Sequence, residues 1–151
     1  MKVPDANLLI YAVDEVSPHH RPAKAWLDAE LSGGETFAFT WAVLLAFLRL
    51  TTNPRVFEQP LTTSEAFDVV DGWLGRPTVT VIGPTERHAR LLRELLQSSG
   101  TAGNLTSDAH LASIAIEHGA TLCSPDRDFA RWSGLRWTNP LSEPAGRVPH
   151  S

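Results

Sequence analysis

Val3-Pro4-Asp5-Ala6-Asn7-Leu8-Leu9-Ile10-Tyr11 decides how the rest of the chain is read. A short apolar run meets an acid, and apolar residues resume with no polar face to solvate it. A carboxylate in such surroundings is costly unless it is paired or holds a cation. Sequences keep a locally unfavourable residue of this kind mainly where it has a task. The pattern returns in Ala120-Thr121-Leu122-Cys123-Ser124-Pro125, which runs into Asp126-Arg127-Asp128. Between the two, Asn104-Leu105-Thr106-Ser107-Asp108 places another acid at the start of an apolar helical pattern.

Outward from these acids, strand and helix patterns alternate. Residues 2 to 6 read as a short strand and Asn7 to about Val13 as a turn or the start of a helix. Pro22, Ala25, Trp26 and Ala29 share one face of a helix that Gly33-Gly34 ends, and Thr36 to Thr40 is a second strand. Trp41, Leu44, Leu45 and Leu48 follow at helical spacing up to Asn53-Pro54. Thr62 and Glu65 form a capping box for a helix burying Ala66, Val69, Val70 and Trp73. Val79 to Ile82 is a strand. Thr85 opens a helix with His88, Leu91, Leu92, Leu95 and Leu96 on one face. Thr106 or Ser107 caps the helix of Leu111, Ala112, Ala115 and Ile116, which Gly119 closes. Thr121 to Cys123 and Leu135 to Trp137 read as the last strands, with a loop or short helix at 126 to 133.

This alternation predicts an α/β fold: one domain over residues 1–141, with a mainly parallel sheet of about four to five strands and helices on both sides. Residues 142–151 hold two prolines and few apolar side chains and are expected to form a mobile tail. Ligands of such folds bind at the carboxyl ends of the strands. Asp5, Asp126 and Asp108, the last in a helix's first turn, therefore belong on one edge of the sheet.

Composition narrows the class. With 151 residues, 42% hydrophobic and 20% charged, the chain suits one folded domain rather than a disordered segment. It shows neither a secretory signal nor the roughly 18 apolar residues of a membrane span. One cysteine excludes an internal disulfide and fits a reducing, cytoplasmic setting. The net charge of −4 weakens a nucleic-acid reading, though acids gathered on a cation would leave the remaining surface nearer neutral.

Two of the acids also have an ordinary explanation. Asp108 suits a helix N-terminus, and Asp126 after Ser-Pro suits a turn. Neither explains Asp5. Oxygen ligands without a His/Cys cluster select Mg²⁺, with Mn²⁺ as the alternative, over Zn²⁺. Such sites serve phosphoryl transfer and phosphodiester hydrolysis.

Over about residues 1 to 141 the chain resembles the PIN-domain ribonucleases, in particular the VapC toxins of type II toxin–antitoxin pairs. The resemblance rests on Pro4-Asp5-Ala6-Asn7-Leu8-Leu9-Ile10-Tyr11-Ala12, on Trp41 to Leu50, on Gly103 to Ala112, and on Ile116 to Phe129. It implies that Asp5, Asp108 and Asp126 are metal ligands, with Asp128 a fourth catalytic acid and Asn7 and Ser124 supporting polar groups. It further implies an RNA substrate, a small VapB-like antitoxin and a homodimer. Many PIN domains carry a glutamate on the helix after the second strand. Here Trp41 to Leu50 contains no acid, which favours one metal ion over two.

Among the remaining polar residues, Arg49 and Arg55 are candidate RNA contacts. His110, about 200° round the helix from Asp108, is expected to face away from the acids. Trp26, Trp41 and Trp73 fall on apolar faces, whereas Trp132 is expected to be the exposed ring. Two rival functions remain. A catalytically weak or inactive fold that only binds its antitoxin is one, favoured by the missing glutamate. Another Mg²⁺-dependent phosphotransfer enzyme is the other, but such enzymes want a lysine on the acidic edge. Lys2 and Lys24 are the only lysines, and neither follows a late strand.

Overall fold

The computed structural model describes residues 1–100 and 103–142. The expected tail, residues 142–151, thus lies outside the described residues except for its first member.

Five short strands form one sheet: β1 (Lys2–Pro4), β2 (Phe37–Phe39), β3 (Val79–Val81), β4 (Thr121–Cys123) and β5 (Arg136–Thr138). Their order is β3-β2-β1-β4-β5, and every pairing is parallel. Six helices connect them: α1 (Ala6–Val13), α2 (His20–Ser32), α3 (Trp41–Thr51), α4 (Thr63–Leu74), α5 (His88–Ser98) and α6 (Thr106–Glu117). Successive residues of a strand face opposite sides of a sheet. Phe37, Ala38 and Phe39 are all fully buried, so both faces are covered, as a parallel sheet requires.

The order fixes where a ligand can enter. From central β1 the chain steps to β2 and β3 on one side, then returns across β1 to build β4 and β5 on the other. The direction reverses between β1 and β4, which opens a crevice at their carboxyl ends. Pro4 pairs in register with Cys123, and Asp5 N–H donates to the Cys123 carbonyl at 2.9 Å. The residues that follow the two strands therefore emerge side by side.

Local chemistry accounts for the element boundaries. Contrary to the expectation that no capping role explains it, Asp5 caps α1 with its own carboxylate, so the strand ends at Pro4 and the helix starts at Ala6. Thr40 caps α3, and Thr62 with Glu65 forms the expected reciprocal box at α4. Gly119, at φ +64°, takes the left-handed turn that ends α6. The core beneath is aromatic: Phe39 stacks on Trp73 with centroids 5.5 Å apart, and Phe47 meets the same indole edge-on at 4.9 Å.

Several sequence expectations need correcting. In α2 the buried residues are Ala23, Leu27 and Leu31, while Pro22, Ala25 and Ala29 are exposed. In α3 the buried stripe is Val43, Leu44, Phe47 and Thr51, which leaves Trp41 48% and Leu45 57% exposed. Trp41 to Leu50 is apolar all round except for Arg49, so periodicity alone had no polar face with which to orient it. Trp132, expected at the surface, is 3% exposed. It packs on Phe129, and its indole N–H donates to the Leu95 carbonyl and the Ser99 hydroxyl, each at 3.1 Å.

The cap of α6 also differs. Leu105 holds the cap position without a side-chain bond, because the Thr106 hydroxyl turns back to the Gly103 carbonyl at 3.0 Å. α5 begins at His88 rather than Thr85, since Thr85 is engaged by Glu117 on α6.

Candidate metal centre

Four acids reach the crevice from three elements. Asp5 follows β1, Asp126 and Asp128 follow β4, and Asp108 stands in the first turn of α6. One carboxylate oxygen from each of Asp108, Asp126 and Asp128 lies within 4.8 Å of the others. These oxygens are close enough that modest side-chain shifts would let all three acids share one ion. The set is all oxygen, which suits a hard cation. The residues fit the group that the fold implies.

Asp5, expected as a ligand together with Asp108 and Asp126, stands beside this trio, in which Asp128, expected only as an assisting acid, is the third member. Asp5 Oδ1 accepts from Ala6 N–H at 2.7 Å and its Oδ2 from the Ser124 hydroxyl at 2.8 Å. Burial pushes its pKa above the ordinary value and Asp126 adds to that, while Ser124 and Ala6 oppose. The fully buried Ser124 also accepts from Asp126 N–H at 3.0 Å, so one hydroxyl ties the two strand-end acids together. Asp126 Oδ1 in turn accepts from Asp128 N–H at 2.9 Å and opens the short 3-10 turn Arg127–Arg131.

Asp108 bears most of the crowding. Burial first, then the charges of Asp5, Asp126 and Asp128, together raise its pKa to about 6, with Arg131 opposing. Like charges assembled this closely resist ionising together. A divalent cation would relieve that conflict.

The cleft in front of the acids has a volume of about 410 Å³, and its lining includes Asp5, Asp108, Arg49 and His110. Arg49 is the cation placed to face an anionic ligand there. Arg55 lies on the exposed connector after α3 and does not line the cleft. Asn7 is exposed in the first turn of α1. The α3 side of the cleft consists of Ala42, Val43, Ala46 and Arg49, so no carboxylate enters from that helix.

His110 does not face away from the acids. It shares the cleft lining with Asp108, since the cleft wraps around the N-terminal end of α6 and helical side chains lean toward that end. Sequence reasoning also missed Glu117. This residue has a fully buried side chain that accepts from Thr85, Ser113 and His88. The available signal was the one that picked out Asp5: an acid at the end of an apolar run, here Ala115-Ile116-Glu117.

The chain belongs to the PIN domain family, which matches residues 2–135. Among curated proteins it is 46% identical over 140 residues to ribonuclease VapC37 of Mycobacterium tuberculosis, covering 93% of this chain and 97% of that one. It is 42% identical over 143 residues to ribonuclease VapC33 of the same species, covering 95% and 100%. The fold resembles that in the crystal structure of VapBC2 from Rickettsia felis bound to a promoter DNA fragment (TM-score 0.67, 22% identity, 91% and 97% covered). It also resembles M. tuberculosis VapC20, described as a sarcin–ricin loop cleaving toxin (TM-score 0.64, 16% identity, 86% and 93% covered).

Proposed function

We propose that this protein is a metal-dependent endoribonuclease, the toxin of a type II toxin–antitoxin pair. The observation that carries the reading is the convergence of Asp108, Asp126 and Asp128 at the switch point of a parallel sheet. Relatives named ribonucleases, at up to 46% identity over nearly the whole chain, support the substrate class. Structural neighbours that are toxin–antitoxin complexes support a small VapB-like antitoxin as partner.

In this reading Asp108, Asp126 and Asp128 hold one Mg²⁺, or Mn²⁺ in its place, with Asp5 as the adjoining fourth acid. When bound, the cation supplies an activated water and neutralises charge on the scissile phosphate. Ser124 keeps Asp5 and Asp126 at fixed separation by bonding both. Arg49 faces the phosphate from the opposite wall, while Arg55 and Asn7 would meet RNA only beyond the cleft. Hydrolysis would leave a 5′-phosphate product, as the family resemblance implies. The chain would act as a cytoplasmic homodimer, and no helix among the described residues is long and apolar enough to cross a membrane. On α3, Leu45 is 57% exposed and would give the antitoxin an apolar contact, whereas Ala23, Leu27 and Leu31 of α2 are buried in the core.

Incubating the purified chain with structured RNA, with and without Mg²⁺ and beside Asp126→Asn, tests this reading. Cleavage that requires the metal and vanishes in the variant supports it. Cleavage that survives chelation or the substitution removes it.

A further inference from the structure

A chain of hydrogen bonds runs from buried Glu117 to the cleft. Glu117 Oε1 accepts from the Thr85 N–H and hydroxyl, both at 2.6 Å, and Oε2 from the Ser113 hydroxyl at 2.7 Å. Oε2 also meets His88 Nδ1 at 2.5 Å. Burial alone would raise the Glu117 pKa, but the bonds from Thr85, His88 and Ser113 prevail and bring it down to about 2. An ionised carboxylate has no proton to give, so His88 Nδ1 is the donor. When His88 carries a single proton, its opposite nitrogen, Nε2, is then an acceptor. It lies 2.9 Å from His110 Nδ1, and in that state the proton of the contact belongs to His110. In that state His110 Nε2 keeps a bare lone pair, and it has no hydrogen-bond partner among the described residues.

His110 stands on the wall between two depressions. One is the acid cleft. The other is a recess of about 200 Å³ whose lining includes Trp41, Ile82 and Pro84. Ala42 and His110 border both. Trp41 offers the recess a half-exposed indole, the kind of surface on which a nucleobase stacks. A nucleotide with its phosphate at the acids and its base in the recess carries its ribose across the shared wall.

We propose that the recess is a ribonucleotide subsite: a base of single-stranded RNA stacks on Trp41, and His110 Nε2 accepts a hydrogen bond from the 2′-hydroxyl. In this proposal His88 holds one proton, on Nδ1 toward Glu117, and His88 and Glu117 are positioning residues that fix the His110 tautomer. The 2′-hydroxyl is what separates RNA from DNA at a given site, so this contact makes His110 a specificity residue. The proposal rests on the ribonuclease reading above.

Two measurements on the full chain test it. Nitrogen NMR of ¹⁵N-histidine-labelled protein near neutral pH, with His110→Gln for assignment, reports the tautomer directly. The expected state is a protonated Nδ1 and bare Nε2, with Glu117→Gln shifting the population toward the other tautomer. A wild-type His110 protonated at Nε2 overturns the proposal. The second measurement is the affinity for a random-sequence single-stranded RNA pool against the same pool with 2′-fluoro ribose, which cannot donate. Wild type should favour RNA by about tenfold, the scale of one hydrogen bond, and His110→Ala should bring the ratio near one. Trp41→Ala should weaken both pools alike.

An unchanged ratio in His110→Ala sinks the subsite. If the wild type still cleaves the RNA pool, the nuclease reading survives that failure; absence of both binding and cleavage sinks the two together. Loss of self-association in Trp41→Ala with RNA affinity intact would assign the recess to a second copy and also overturn the proposal.

Discussion

Ser124 bonds Asp5 and Asp126 through one oxygen, donating to Asp5 Oδ2 at 2.8 Å and accepting from Asp126 N–H at 3.0 Å. The hydroxyl is buried and sits where β4 ends, across from the end of β1. Ser124→Ala leaves a partly buried carboxylate oxygen without its donor, at a cost of about 1–2 kcal/mol. It also frees the two acids to move relative to each other, so RNA cleavage should fall by about tenfold or more. Urea denaturation and cleavage rates on the same preparation check both. Unchanged values in the two assays would show that Ser124 positions nothing.

Asp108 is the acid most opposed by its neighbours. Without metal, Asp108→Asn removes one of the crowded charges and should stabilise the fold by about 1 kcal/mol after solvent screening. The same change removes a proposed ligand and should cost at least about a hundredfold in cleavage. Thermal unfolding in chelator, set beside activity in Mg²⁺, separates the two effects. A variant less stable than the wild type in chelator would contradict the crowding argument.

Glu117 predicts the acid response of the fold. Burial works against its ionisation, but the donors from Thr85, His88 and Ser113 prevail and hold the folded carboxyl at about 2 against an ordinary 4.5. Folding therefore favours the ionised form. The contribution is complete above about pH 4.5 and drains away as the pH falls toward 2. Glu117→Gln presents an amide to donors that need an acceptor, and should cost about 2 kcal/mol near neutral pH. The variant should also lose stability less steeply than the wild type across that acid window, measured by denaturant titrations at stepped pH. Parallel curves would refute the assignment.

Trp132 gives a prediction about the C-terminal end of α5. Trp132→Phe keeps most of the packing on Phe129 but removes the N–H that serves Leu95 and Ser99. The expected cost is about 1 kcal/mol, with faster amide exchange confined to the last turn of α5. Exchange spread evenly over the domain would argue against a local role.

The parts legible in the sequence were those with short-range causes. The β1 acid, the Thr62–Glu65 box and the β-branched run at Val79 each carry a local signature, and the alternation of strand and helix implied the parallel sheet. Strand order was not legible, because nothing local says that β4 adds beside β1 rather than beyond β3. Trp41 and Trp132 were misplaced for a related reason. An all-apolar helix does not indicate which side is solvated, and the burial of Trp132 depends on acceptors 33 and 37 residues away. The Glu117–His88–His110 chain joins side chains up to 32 residues apart once Thr85 is included, so no spacing rule could reveal it. Asp108 and Asp126, by contrast, were placed by the rule that ligands gather at strand ends.

Divalent-ion binding measured beside RNA cleavage tests the account most directly. Mn²⁺ titrated into chelator-stripped protein and followed by electron paramagnetic resonance should show one ion bound per chain. Asp126→Asn should lose that ion and the cleavage of RNA together. An Asp126→Asn protein that binds Mn²⁺ and cuts RNA as the wild type does would contradict the claim that these acids form the working centre.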